Sequence, residues 1–174
     1  MASRRRSVYS AESVPPESEQ YVRLLASNRS VLEARIVDVN PSPNDYTVYE
    51  ASDFGTESGG YYDLASGTYA LAGVINLGTA TLRIPSGAAV LMGGYVLSSA
   101  VTTIRVEGTL LAVNMQALST AANAVAISNS NAIFAAMNVG LIGALQAVHV
   151  SLARRVQLVG DYMISSGGNG VTIA

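Results

Sequence analysis

ATLRIPSGAAVLMGGYVLSSAV, at residues 80–101, is the first of four consecutive rows that share one pattern. The next three rows are TTIRVEGTLLAVNMQALSTAAN (102–123), AVAISNSNAIFAAMNVGLIGALQ (124–146) and AVHVSLARRVQLVGDYMISSGGN (147–169), and GVTIA (170–174) begins a fifth. Self-similarity at a fixed period is the sequence signature of a repeat architecture. The fold of the chain is therefore expected to follow from one short unit repeated several times.

Apolar residues recur at three places in each row. The first column consists of alternating pairs: Leu82 and Ile84, Ile104 and Val106, Val125 and Ile127, Val148 and Val150, Val171 and Ile173. The second column consists of Val90, Leu111, Ile133 and Val156, and the third of Leu97, Leu118, Leu141 and Ile164. Alternation with a period of two is typical of strands, so each row predicts three short strands with these residues pointing inward.

Three strands per row at a constant spacing predict a chain that winds into a coil of about 22 residues, with each strand parallel to its copy about 4.8 Å away. We therefore expect an all-β fold, a parallel β-helix of about 4–5 coils. The predicted corners contain Gly, Asn or Asp, which tolerate sharp bends: Ser86-Gly87, Glu107-Gly108, Gly93-Gly94, Asn114, Asn138 and Gly160-Asp161. The alternative, a set of buried helices, is favoured only by the Ala-rich stretch at 112–127.

Three regions follow from this pattern: an extended arm at 1–16, a small adaptor region at 17–62, and the β-helix at 63–174. In the arm, Arg4, Arg5 and Arg6 are candidates for binding phosphate or an acidic patch on a partner, and a solvated tail is the alternative. Residues 17–35 are expected to contain a helix, because Pro15-Pro16 precedes Glu17 and Glu19. A strand at 31–39 remains an alternative for its second half.

Tyrosines are concentrated in and just after the adaptor region, at Tyr46, Tyr49, Tyr61, Tyr62 and Tyr69. Tyrosine buries a large area and keeps a polar end, so these rings suit an interface with a partner. They would equally suit a cover over the first coil, since a bare terminal coil exposes strand edges and core.

Composition narrows the classes of function. The 174-residue chain is 49% apolar and 13% charged, has a net charge of −2 and contains no Cys. We therefore expect no general affinity for nucleic acid, no membrane span, no secretion signal and no disulfide or thiolate metal site. Catalysis is not expected either, because Glu107 and Asp161, the two carboxylates after residue 66, fall on different corners. His149, the single histidine, is expected on the surface, and no metal or other cofactor is predicted.

The lead-in to the rows resembles the start of right-handed parallel β-helix domains in bacteriophage tailspikes and related virion proteins. The residues that carry the resemblance are SGTY (66–69), GVINL (73–77) and LRIPSG (82–87), and the similar pattern extends over about 63–174. The resemblance implies a homotrimer whose N-terminal segment attaches to the particle. Tailspikes that cleave host polysaccharide have many more coils, so the resemblance does not imply an enzyme.

The resemblance, together with the absence of a predicted catalytic site, implies a non-enzymatic structural protein of a phage particle. It would be located either in the tail, as a spike, fibre or adaptor, or on the capsid as a decoration. Its partners would be sister copies and other virion proteins. A polysaccharide-binding or polysaccharide-cleaving tailspike fragment is one alternative. A self-polymerising β-helix scaffold of a bacterial cell is another.

Four residues are candidates for a contact between subunits: Arg83, Arg105, Val171 and Ile173. Arg83 and Arg105 would stack on the outside one strand spacing apart, where like charges repel. This repulsion between the two arginines could be relieved by an acidic group from a partner, by the neighbouring Glu107 or by solvent. Val171 and Ile173 lie in the last row and would need cover from sister subunits, from another protein or from further chain.

Overall fold

The structure, a computed structural model, describes residues 21–25, 31–35 and 45–174 of the chain. Strands β1 (Tyr21–Leu25) and β2 (Val31–Arg35) pair with each other in antiparallel orientation. The helix predicted over 17–35 is therefore wrong for these two segments, and the strand alternative holds at Val31–Arg35. The arm with Arg4, Arg5 and Arg6 lies outside the described residues, so its predicted role stays a prediction.

From residue 45 onward the chain is a β-solenoid with three parallel sheets along its sides. Sheet I consists of β4 (Tyr61–Asp63), β7 (Thr81–Ile84), β10 (Ile104–Val106), β13 (Val125–Ser128), β16 (Val148–Leu152) and β19 (Val171–Ile173). Sheet II consists of β3 (Asp45–Val48), β5 (Gly67–Leu71), β8 (Ala89–Gly94), β11 (Thr109–Val113), β14 (Ile133–Met137) and β17 (Arg155–Val159). Sheet III consists of β6 (Ile75–Asn76), β9 (Val96–Ser99), β12 (Gln116–Ser119), β15 (Gly140–Gly143) and β18 (Tyr162–Ser165). The predicted parallel solenoid is confirmed.

The first apolar column is confirmed throughout. In sheet I, Leu82 pairs with Ile104, Ile104 with Val125, and Val125 with Val148. Val148 in turn pairs with Val171. The side chains of this column in β7, β10, β13 and β16 are buried. Because polar or small residues separate the apolar ones in this sheet, the period of two could be recognised from the sequence.

The second and third columns are each displaced by one residue at two of their four members. In sheet II the inward column is Val90, Leu110, Phe134 and Val156. The prediction that Leu111 and Ile133 point inward is therefore wrong. In sheet III the inward column is Leu97, Ala117, Leu141 and Met163, so the placement of Leu118 and Ile164 is wrong as well. A shift by one residue moves a side chain to the other face of a strand.

The corner between sheets II and III requires a left-handed backbone, as predicted. Asn114 and Asn138 have φ angles of 49° and 56°, and Gly160 has a φ of 67°. Asn is among the few residues with a Cβ that enter this region readily. The Nδ2 of Asn138 also donates a hydrogen bond to Oδ1 of Asn114 at 2.9 Å, so the two amides stack along the corner.

Buried hydroxyl groups satisfy the backbone at the turns that lead from sheet III back to sheet I. Ser99 and Ser119, both inward at the end of their strands, donate hydrogen bonds to the carbonyl oxygens of Ala80 and Val101, each at 2.7 Å. The buried Thr103 hydroxyl donates to the carbonyl of Leu118 at 2.6 Å. A buried polar group without a partner would cost stability, so these bonds explain how polar residues lie inside the coil.

The solenoid begins earlier than the predicted start at residue 63. Strand β3 pairs with β5. Sheets I and II therefore have six strands each, which corresponds to about six coils instead of the predicted 4–5. The rings of Tyr46 and Tyr69 stack at 4.6 Å between centroids, and the buried Phe54, at the end of a 3-10 helix (Ala51–Phe54), lies against Tyr62 and Tyr69. Aromatic rings thus fill the first coil.

Candidate functional site on the outer faces

The outer face of sheet I carries the charged column that the sequence predicted. Arg83, Arg105, Ala126, His149 and Thr172 follow one another in register. The column begins one coil earlier, however, with Asp63 directly opposite Arg83. Asp63 lies 20 residues before Arg83, close to one repeat, and this spacing was the signal by which the pair could have been found.

Asp63 and Arg83 form a two-point ion pair. The Arg83 Nε and Nη2 donate to the two carboxylate oxygens at 2.6 and 2.5 Å, and the guanidinium also lies 4.7 Å from the centroid of the Tyr61 ring. The hydrogen bond from Arg83 lowers the pKa of Asp63, and the same bond raises the pKa of Arg83. The charge of Arg83 is therefore compensated within the chain.

Arg105 also has an acidic neighbour of its own. Its Nε lies 2.9 Å from Oε1 of Glu107 as an ion pair, although the N–H is not aligned for a hydrogen bond. Both side chains are partly exposed, so the pair contributes little to stability. The repulsion expected between Arg83 and Arg105 is thus relieved by Asp63 and Glu107. A role of the two arginines in a subunit contact stays a prediction.

The remaining titratable groups of the solenoid are not brought together. His149 lies outward between Val148 and Val150, as predicted, and is half-buried. Glu107 is at a corner between sheets I and II, whereas Asp161 is at the corner between sheets II and III. Within the described residues, no group of three or more His, Cys, Asp or Glu side chains could hold a metal ion.

Asp161 supports the backbone of its corner. Its two carboxylate oxygens accept hydrogen bonds from the backbone N–H groups of Val139, at 2.7 Å, and Val159, at 2.9 Å. Burial raises the pKa of Asp161, and the two hydrogen bonds oppose that rise. The carboxylate therefore ties one coil to the next.

The outer face of sheet II carries a second apolar cluster, separate from the core. Leu111 and Ala135 form its centre, and Leu91, Val113 and Met137 pack around them. Although the side chain of Leu111 points outward, it is only 2% exposed, because its neighbours in the adjacent coils cover it. The sequence signal for this face was the unbroken apolar runs LLAV (110–113) and IFAAM (133–137), which are typical of parallel strands buried on both faces.

The outer face of sheet III is largely apolar too. One outward column consists of Val96, Gln116, Gly140 and Tyr162, and the other of Ser98, Leu118, Ile142 and Ile164. Tyr162 lies so close over Gly140 that a side chain at position 140 would collide with its ring. A shallow groove of about 340 Å³ follows the corner beside this face and is lined by Tyr95, Tyr162 and the amides of Asn114, Gln116 and Asn138.

Several apolar side chains are exposed in the last described coil. Val171 pairs with Val148 and is half-buried, whereas Ile173 is 80% exposed next to the buried Val150. In sheet III, Met163 and Ile164 are also exposed. A role of Val171 and Ile173 in a contact between subunits stays a prediction.

Comparison of the chain with protein-family models, with curated proteins and with solved structures finds no match in any of the three. None of the helices in the described part of the chain is long and apolar enough to cross a membrane.

Proposed function

We propose that this chain is a non-enzymatic structural protein of a bacteriophage particle. The solenoid is its rigid body, and residues 1–60 are its attachment and assembly region. In this proposal the solenoid is right-handed and the chain forms a homotrimer. The homotrimer binds other virion proteins and is part of the phage particle.

The observation that carries a structural role is the apolar outside of the solenoid. Leu118, Ile142 and Ile164 follow one another at outward positions of sheet III. Ile164 is 53% exposed, and Tyr95 is 58% exposed. Large apolar patches on a protein surface mark sites of interaction with other macromolecules. A rod with such faces is suited to assembly.

The assignment to a phage particle is supported by the resemblance of the lead-in sequence. The stretches at 66–69, 73–77 and 82–87 overlap strands β5, β6 and β7, one from each sheet. The resemblance thus extends around one complete coil. Its implied N-terminal attachment segment corresponds to Arg4, Arg5, Arg6 and the rest of residues 1–16.

Electron microscopy of purified particles tests this function. We expect density with the dimensions of the solenoid at the tail or on the capsid. A variant that lacks residues 1–16 should retain the far-ultraviolet circular dichroism of the parent and be absent from particles. Incorporation of that variant at the full copy number would contradict the attachment role, and absence of the parent from particles would contradict the function itself.

A polysaccharide-binding tailspike fragment is the second candidate, and the groove at the corner of sheets II and III favours it. Aromatic rings beside amide groups provide the apolar contact and the hydrogen bonds that a sugar requires. Binding of host polysaccharide that Tyr162→Ala abolishes, and that Tyr49→Ala on a different exposed site preserves, would support this alternative. Release of sugar by the protein would contradict the non-enzymatic role.

A further inference from the structure

The segment between strands β18 and β19 contains a pair of residues with a reactivity of its own. Asn169 is followed by Gly170, and it is the single asparagine of the chain that precedes a glycine. It lies between the end of β18 at Ser165 and the start of β19 at Val171, and it is exposed. The backbone nitrogen that follows an asparagine can attack the side-chain amide, which makes asparagine chemically labile. Glycine hinders this attack least, because it has no Cβ and the widest choice of backbone conformations.

The surroundings of Gly170 leave its nitrogen available for this attack. Within residues 45–174, the N–H of Gly170 donates to no backbone acceptor. A Cβ at position 170 would meet only the Cβ of Met163, at 3.6 Å, so the segment is not tightly packed. The attacking nitrogen is therefore not held away from the amide of Asn169 by a hydrogen bond, and neighbouring atoms do not crowd it.

Other asparagines of the solenoid differ at the corresponding nitrogen. Asn123 occupies the matching position two coils earlier, because it precedes β13 by two residues as Asn169 precedes β19. The next residue, Ala124, has a Cβ, and its N–H donates to the carbonyl oxygen of Gln146 at 3.1 Å. The N–H groups that follow three further asparagines are bonded as well, at 2.8, 2.9 and 2.7 Å: Asn76, Asn131 and Asn138. The fold thus protects these amides and not that of Asn169.

We propose that Asn169 is a site of spontaneous deamidation in the folded protein. The nitrogen of Gly170 forms a bond to Cγ of Asn169 and gives up its proton, the bond from Cγ to the amide nitrogen breaks, and ammonia leaves. Water then opens the resulting cyclic imide. Opening at one carbonyl gives aspartate, and opening at the other gives isoaspartate, in which the backbone runs through the former side chain. Water is the only co-reactant, and neither an oxidant nor an enzyme takes part.

The isoaspartate product would disturb the strand that follows. The N–H of Val148 donates to the carbonyl oxygen of Gly170, and the N–H of Ala174 donates to that of Val150, each at 2.9 Å, so β19 is held to β16 at both of its ends. Isoaspartate inserts one additional backbone atom directly before Gly170, whereas aspartate adds only a charge. Deamidation therefore loosens β19 as the protein ages. This inference goes beyond the proposed function and does not rest on it.

Incubation of the full-length protein at mildly alkaline pH, followed by digestion after arginine, tests the site. Cleavage at Arg155 releases residues 156–174, in which Asn169 is the single asparagine. We expect this peptide to convert to its aspartate and isoaspartate forms, separated by chromatography and identified by mass. Conversion should be several-fold faster than in the peptide 106–154, although that peptide contains several asparagines. Equal or slower conversion of residues 156–174 would overturn the proposal.

Gly170→Ala is the matched variant, because the added Cβ finds only an ordinary contact with Met163. We expect it to keep the circular dichroism and the thermal melt of the parent and to slow deamidation of Asn169 several-fold. Equal rates in the parent and in this variant would contradict the attack by the nitrogen of residue 170.

Hydrogen exchange at residues 171–174 tests the effect on β19. Exchange should be faster in aged protein enriched in isoaspartate than in fresh protein, because local opening of the strand becomes easier. Asn169→Asp carries the new charge without the additional backbone atom, and its exchange should stay close to that of the parent. Unchanged exchange in the isoaspartate form would contradict the loosening of β19. Equally fast exchange in Asn169→Asp would assign the loosening to the charge and overturn the role of the backbone atom.

Discussion

Replacement of Phe134 by Ala tests the inward register of sheet II. Phe134 is 0% exposed and lies between Leu110 and Val156 in the inner column. Loss of the ring removes about 2 kcal/mol of transfer free energy. It also leaves a cavity of roughly 100 Å³, which adds about 2 kcal/mol at about 24 cal/mol per Å³. We expect the free energy of unfolding to fall by about 4 kcal/mol.

Ile133→Ala is the matched control, because Ile133 is the next residue in the same strand and lies on the opposite face, half-buried. Its truncation should cost less than about 1.5 kcal/mol, since fewer contacts are lost. Urea unfolding followed by circular dichroism, repeated at two protein concentrations, separates stability of the coil from assembly. An equal loss for the two variants at low concentration would refute the register, because the pattern of sequence alone had placed Ile133 inside.

Three further results are expected. Asn138→Val should lower the unfolding free energy by about 1–2 kcal/mol and Asn138→Gly by less, because the φ of 56° penalises a branched side chain; chemical denaturation of both variants checks this. Because the pKa of Asp63 is lowered, its pair with Arg83 stabilises the fold above pH 3.8, and this contribution is lost as the pH falls through the folded pKa. Asp63→Asn should abolish that loss of stability in acid titrations. Added salt should weaken the contribution of the pair. The pKa of Asp161 is raised instead of lowered, so its contribution to the stability of the fold is present below pH 3.8 and is lost as the pH rises through the folded pKa. Thermal melts of Asp161→Asn across this pH range should lack that decline in stability.

The sequence predicted the architecture better than the register. In sheet I, residues such as Arg83 and His149 interrupt the apolar positions, so the inward face could be read directly. In sheet II, Ile133 and Phe134 are adjacent apolar residues, and a period of two cannot decide which of them points inward. Packing decides, because the large ring of Phe134 fills the space between Leu110 and Val156.

The beginning of the fold was hidden for a different reason. The 3-10 helix at Ala51–Phe54 and the turns at Gly55, Gly59 and Gly60 interrupt the first coil, so Asp45–Val48 did not stand out as a strand in phase with the rows. The pairing of Asp63 with Arg83 was not predicted for the same reason, because the outward column of sheet I was predicted to begin at Arg83 and begins one coil earlier. Unbroken apolar runs in the sequence indicated that the outer faces are apolar. Such a run does not show which of its residues face outward.

The pairing pattern of the solenoid has a mechanical consequence. Each strand of the solenoid pairs only with its copies in the neighbouring coils, so a force that pulls one strand out of a sheet loads the hydrogen bonds of that strand alone. A force spread over a whole coil instead loads the strand pairs of all three sheets together, because their hydrogen bonds all run along the axis. The solenoid is therefore weaker against the removal of single strands than against a pull that a whole coil shares.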